Sequence, residues 1–199
     1  MDEINKVTDD ILNQVHKINA TSQQIVLATT GSGHSAVSWL LSSTEAYRTM
    51  LEVIIPYSSK AVTSFLGFEP KQLVSQETAW EMALKAYNIA MKETNFPIGV
   101  GCTTDINQIS HTGKVIISVW TPAKTLTFTI TLAKNKRTPD EEERFISYLI
   151  LIAISQGIDL ENKELKISIL PGDLFEREEV LLPRSTRRKD NKKIEGIRT

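Results

Sequence analysis

Residues Leu27 to Leu41, LATTGSGHSAVSWLL, set two glycines, small hydroxyl side chains and one histidine between an apolar run and the start of a helix. A loop in that position offers unpaired amide groups and the positive end of a helix dipole, and both favour a phosphate or another anion. On that reading Thr30, Gly31, Ser32, Gly33, His34 and Ser35 line the anion. The glycines have neither Walker spacing nor the dinucleotide fingerprint. The plainer alternative is a tight turn permitted by Gly31 and Gly33, with Ser32 or Ser35 accepting hydrogen bonds from the first turn of the helix. Ser32 is also a candidate nucleophile, but a serine hydroxyl attacks only when a neighbouring base takes its proton. His34 is the nearest candidate base in sequence, and a histidine can in principle take that role. Side chains two residues apart do not normally face one another, which argues against a direct Ser32–His34 pair.

A second group of candidates surrounds Cys102. This cysteine ends the run PIGVGC and reads as a buried structural thiol, because free cysteine behaves as a small hydrophobe. Thr103 and Thr104 follow on an expected loop beside the first one, at the carboxyl ends of neighbouring strands where open α/β sheets bind ligands. Asp105 and His111 suggest metal ligation, but three histidines and no paired ligand motif leave a dedicated zinc site without support. The run DEEER reads as the solvated first turn of a helix rather than as a reactive cluster.

These groups need a scaffold, and hydrophobic periodicity supplies one. Ile4, Val7, Ile11, Leu12, Val15 and Ile18 recur at helical spacing. QQIVLAT then reads as a buried strand leading into the first loop, and SAVSWLLSS as the helix after it. MLEVIIPYSS gives a strand closed by Pro56, and KAVTSFLG a short helix stopped by Gly67. SQETAWEMALKAYNIAMKE carries a continuous apolar stripe from Ala79 to Ala90, entered through an imperfect Ser75–Thr78 capping box. PIGVGCT reads as a strand. KVIISVWT and TLTFTITLAK flank PAK as an antiparallel hairpin that opposes Val115, Ile117 and Val119 to Leu126, Phe128 and Ile130. Thr138, Pro139 and the acids after them start a last helix that Gly157 ends. This order predicts an α/β fold, a three-layer α/β/α sandwich around a mixed sheet.

The predicted organisation is an α/β domain over 1–158, an extension over 159–182 with one extra strand at ELKISIL, and a basic tail over 183–199. After ELKISIL the extension turns acidic and irregular. The tail carries Arg184, Arg187, Arg188, Lys189, Lys192, Lys193 and Arg198 against Asp190 and Glu195. Its composition predicts a disordered, solvated segment, and the sharper alternative is a weak docking arm for an anionic partner. A length of 199 residues suits one domain with a core of ordinary size. The formal net charge of −1 points to neither a nucleic-acid binder nor a strongly acidic protein. One cysteine, an amphipathic charged N-terminus and short apolar runs predict a cytoplasmic protein with no membrane span.

The order of these motifs, and above all LVSQETAWEMA, resembles the C-terminal domain of CinA, the competence-damage protein. That stretch is similar to the family pattern GAVSEEVAREMA through Val74, Ser75, Ala79, Met82 and Ala83. The family includes nicotinamide-nucleotide amidases, so the resemblance implies hydrolysis of nicotinamide mononucleotide to nicotinic acid mononucleotide and ammonia, frequent homodimers and no cofactor. Matching the loop to the family motif AESCTGG puts Ser32 at the nucleophile and His34 at the threonine; counting back from the Trp39 helix puts Thr30 at the nucleophile instead. In PYSSKAV, Tyr57 and Ser58 match the family segment YSNEAK, Val62 stands at its lysine, and Lys60 comes two residues early. The resemblance therefore implies Ser32 as nucleophile, Tyr57 as proton carrier or orienting group, Lys60 or His34 as displaced base, and amides near Gly33 and Gly101 as oxyanion donors. Thr103 and Thr104 would supply contacts from the second loop.

Overall fold

A computed structural model of the chain describes residues 9–105, 113–162 and 169–182. Two β-branched runs dominate its centre. Gln24–Thr30 forms β1 and Pro97–Thr104 forms β3, and the two pair in parallel with Ala28 opposite Gly101 and Thr30 opposite Thr103. Before β1 comes the helix α1 (Asp9–Asn19). Between β1 and β3 lie α2 (His34–Leu41), the short α3 (Ala46–Thr49), β2 (Met50–Ile54), α4 (Ser59–Leu66) and α5 (Gln76–Ala90). After β3 come β4 (Lys114–Trp120), β5 (Lys124–Thr131), α6 (Pro139–Gly157) and β6 (Leu174–Leu181).

The strands form one mixed sheet in the order β2-β1-β3-β4-β5-β6, parallel across β2, β1 and β3 and antiparallel beyond. One face buries Ile25, Leu27, Val100, Ile117 and Ile130 against α1, α2 and α6. The opposite face buries Val26 and Ala28 beneath α4 and α5, through Val62, Met82 and Ala86. This is the three-layer α/β/α arrangement expected from the sequence. The hairpin has the expected register, with Val115 opposite Ile130, Ile117 opposite Phe128 and Val119 opposite Leu126.

Local signals explain several boundaries. Ser75 caps α5 by accepting from the Thr78 amide at 3.1 Å, and Ser58 does the same for α4 from Ala61 at 3.2 Å. Thr138 and Glu141 make a reciprocal capping box that starts α6 with Pro139 in its first turn. A side chain at Gly99 or Gly101 of β3 would collide with the Ala83 or Ala79 carbonyl, so these glycines let α5 lie directly on the sheet.

The extension departs from expectation. The residues read as acidic and irregular form β6, an antiparallel edge strand on β5 from Leu174 opposite Thr131 to Leu181 opposite Lys124. Leu174, Phe175, Val180 and Leu181 are exposed on it, so no buried face gives a periodic signal. The ELKISIL strand falls outside the described residues except for Ile169 and Leu170, which are not in a strand. Ile4 and Val7 of the expected first helix and the segment 183–199 also lie outside them. Among the described residues, no helix is long and apolar enough to cross a membrane.

Candidate functional site

β1 ends in the loop Gly31–Gly33, which turns into α2 through left-handed backbone at Gly31 and Gly33, with φ of 77° and 96°. β3 ends beside it at Thr104. The Thr104 hydroxyl donates to the Thr30 carbonyl at 2.9 Å and accepts from the Ser32 amide at 2.9 Å, tying the two strand ends together. A cleft of about 690 Å³ opens there, lined by Gly31, Ser32, His34, Ser35, Tyr57 and Thr104 from the predicted set. Its other walls come from Asp105, from Lys114 at the start of β4, from Lys134 and Arg137 after β5, and from Asp140, Glu142, Glu143 and Arg144 of α6.

The other predicted residues lie elsewhere. Lys60 sits exposed in the first turn of α4 and does not line the cleft. Gly101 lies inside β3 against α5, so its amide belongs to the sheet and not to a loop. Thr103 and Thr104 are the last residues of β3, where a loop was expected. Thr103 is fully buried, and its hydroxyl has no hydrogen-bond partner among the described residues. Thr30 is buried at the end of β1. Cys102 is fully buried, and burial pushes its thiol up to about 12, as a structural thiol requires. His111 falls outside the described residues. Among the described residues, no three histidines, cysteines or carboxylates gather as a metal site.

The residue that organises the loop is Glu143, which the sequence reading assigned to a solvated turn. One of its oxygens accepts from the Gly33 amide at 3.2 Å, the Ser35 amide at 2.9 Å and the Ser147 hydroxyl at 3.0 Å. The other accepts from the Ser35 hydroxyl at 2.6 Å. His34 Nδ1 lies 3.3 Å from the same carboxylate, whose side chain is 13% exposed. Burial raises the Glu143 pKa, but the Ser35 hydroxyl and amide, the His34 charge and Ser147 outweigh it, leaving the pKa below its ordinary value. The N-terminus of α2 therefore holds an internal carboxylate where an external anion was expected, and Ser35 donates to that carboxylate instead of capping the helix. The signal was present in the sequence. Helical spacing puts Glu143 on the stripe of Ile146, Ser147 and Ile150, all buried, and not on the solvent side.

Ser32 is held by its backbone. Its carbonyl accepts from the Thr29 hydroxyl at 3.0 Å and its amide reaches Thr104. Among the described residues, no histidine, lysine or carboxylate hydrogen-bonds the Ser32 hydroxyl. Tyr57 is 62% exposed on the segment entering α4, facing the same cleft.

Comparison with known proteins gives the fold a context. No family profile and no curated protein matches the chain. Solved structures do. The competence/damage-inducible protein CihA from Agrobacterium tumefaciens superposes with a TM-score of 0.62 at 17% identity, covering 76% of this chain and 96% of its own. A CinA superfamily protein from Enterobacter cloacae gives 0.59 at 16% identity, covering 77% and 94%. The competence damage-inducible protein A from Klebsiella pneumoniae gives 0.57 at 13%, covering 73% and 93%. The chain thus has a CinA-like fold.

Proposed function

We propose that the cleft binds a phosphorylated small molecule of the nicotinamide mononucleotide class and does not hydrolyse its amide. The observation that carries this reading is the state of Ser32. It lines a ligand-sized cleft with Tyr57 and Thr104, yet no base meets its hydroxyl among the described residues. Without such a base the hydroxyl is a weak nucleophile. The amides of Gly33 and Ser35 are engaged by Glu143, so they are not available as oxyanion donors. Lys114 and Lys134 on the far wall offer the positive charge that a phosphate needs. The lone buried cysteine supports a cytoplasmic setting for such a protein.

One observation favours a second reading, an active amidase. His34 and Glu143 form a carboxylate–imidazole pair, the arrangement by which a histidine base is oriented in other hydrolases. Two assays on the purified chain separate the readings: amide NMR shifts on titration with nicotinamide mononucleotide, and ammonia release with Ser32→Ala in parallel. Shifts at Ser32 and Thr104 without ammonia support the binding domain. Ammonia that disappears in Ser32→Ala supports the amidase, and neither shifts nor ammonia overturns both.

A further inference from the structure

β6 ends the sheet, and no strand lies on its outer edge among the described residues. All eight of its residues are exposed. Edge strands usually resist pairing through prolines, bulges, lysines or a covering element. LFEREEVL contains neither proline nor lysine, and it pairs with β5 without a bulge from Leu174 to Leu181. Its charges are the remaining barrier, and their order decides what they repel.

We propose that β6 pairs antiparallel with β6 of a second copy of this chain, joining two sheets across a two-fold axis at Glu178. In an antiparallel ladder, opposed residues are either both hydrogen-bonded or both not. A strand meeting its own copy can therefore oppose only positions of the same parity, and the axis must pass through a residue. Centred on Arg177, the pairing sets Arg177 against its copy and Glu176 against Glu178, so every pair of opposed charges is repulsive and Phe175 faces Glu179. Centred on Glu178, it sets Arg177 opposite the second copy's Glu179 and Phe175 opposite its Leu181, each pair occurring twice. Arg177 and Glu179 already share this face of the strand, 2.6 Å apart, beside Phe175 and Leu181 at 40% and 75% exposure. Axes further along shorten the overlap. The one unfavourable contact is Glu178 against its own copy, on the other face.

The test is sedimentation of the full-length chain over a range of micromolar concentrations. The wild type is expected to show a monomer–dimer equilibrium. Arg177→Glu and Glu179→Arg each turn two attractive cross-strand pairs into repulsive ones, so each alone should weaken association by about tenfold. Their equimolar mixture restores opposite charges at both positions and should dimerise as the wild type does. Glu178→Gln removes the repulsion at the axis and should tighten the dimer, an outcome that misfolding does not mimic. A wild type that stays monomeric, an Arg177→Glu variant that associates as the wild type does, or a mixture that fails to recover would overturn the proposal.

Discussion

The Ser35 hydroxyl lies 2.6 Å from a carboxylate oxygen of Glu143, 108 positions away in sequence. The contact closes the first turn of α2 with a charge supplied by α6, so two helices on one face of the sheet share a single polar junction. Removing the carboxylate by Glu143→Ala leaves the Gly33 and Ser35 amides and the Ser147 hydroxyl without their partner. A loss of about 2–3 kcal/mol is expected from the missing cap and hydrogen bonds. Urea unfolding of the variant beside Ser35→Ala, for which about 1 kcal/mol is expected, measures it.

Acid should weaken the fold through two carboxylates. Asp173 is held well below its ordinary value of 3.8, first by the Arg137 fork and then, against the cost of burial, by the Ala133 and Leu170 amides. Glu143 is lowered from 4.5, its burial outweighed by the bonds from Ser35. A group whose pKa is depressed on folding stabilises fully above its unfolded value, and that contribution drains away as the pH falls towards the folded value. Melting temperature should therefore decline as the pH drops below about 4.5, the ordinary carboxylate value. Asp173→Asn should flatten the steepest, most acidic part of that profile.

The Arg137–Asp173 pair is itself a sharp target. The guanidinium donates to both Asp173 oxygens at 2.9 and 2.7 Å, and it stacks 4.0 Å over the Phe145 ring. Neither side chain is more than 7% exposed. Asp173→Ala removes the carboxylate that both guanidinium nitrogens and the Ala133 and Leu170 amides reach, which typically costs about 3–5 kcal/mol. Arg137→Met with Asp173→Leu should recover only part of the loss, because the Ala133 and Leu170 amides still lack their acceptor, and thermal denaturation of both variants tests this.

Cys102 should be chemically silent in the folded protein. With its thiol pushed up to about 12 inside β3, iodoacetamide at neutral pH should leave it unmodified, and unfolding in urea should expose it to complete alkylation. Mass spectrometry of the two samples reads the result directly.

Gly101→Ala should be among the most damaging small substitutions. The added methyl has no room beside the Ala79 carbonyl and the Ala83 amide, so α5 must move off the sheet. A loss of about 3 kcal/mol follows from overpacking of this kind, measurable as a fall in the urea midpoint.

The elements that place an apolar stripe against the sheet were legible in the sequence because their periods are imposed by burial. The Ala79–Ala90 stripe of α5 and the alternation of Val115, Ile117 and Val119 in β4 are examples. β6 was not legible, since a strand exposed on both faces leaves no alternation to read. The candidate site was partly visible. Ser32, His34, Tyr57 and Thr104 do share one cleft, because strand ends gather loops wherever β1 and β3 are parallel neighbours. Glu143 was missed because local charge pattern places an acid early in a helix on the solvent side, whereas its partners come from a loop more than a hundred residues earlier.

The parallel pairing of β1 with β3 also sets an order of assembly. Thr30 and Thr103 cannot meet until the chain between them, including α2, β2 and α5, has closed a long loop, and that closure is entropically slow. The β4–β5 hairpin turns through Pro122 and Ala123 and needs no such search. The hairpin is therefore the natural early structure, and the cleft walls, built from both strand ends and the first turns of α2 and α6, are completed late. Amide hydrogen exchange would accordingly find its highest protection in β4 and β5 and lower protection around the cleft, whose walls are tied together by side chains from distant segments.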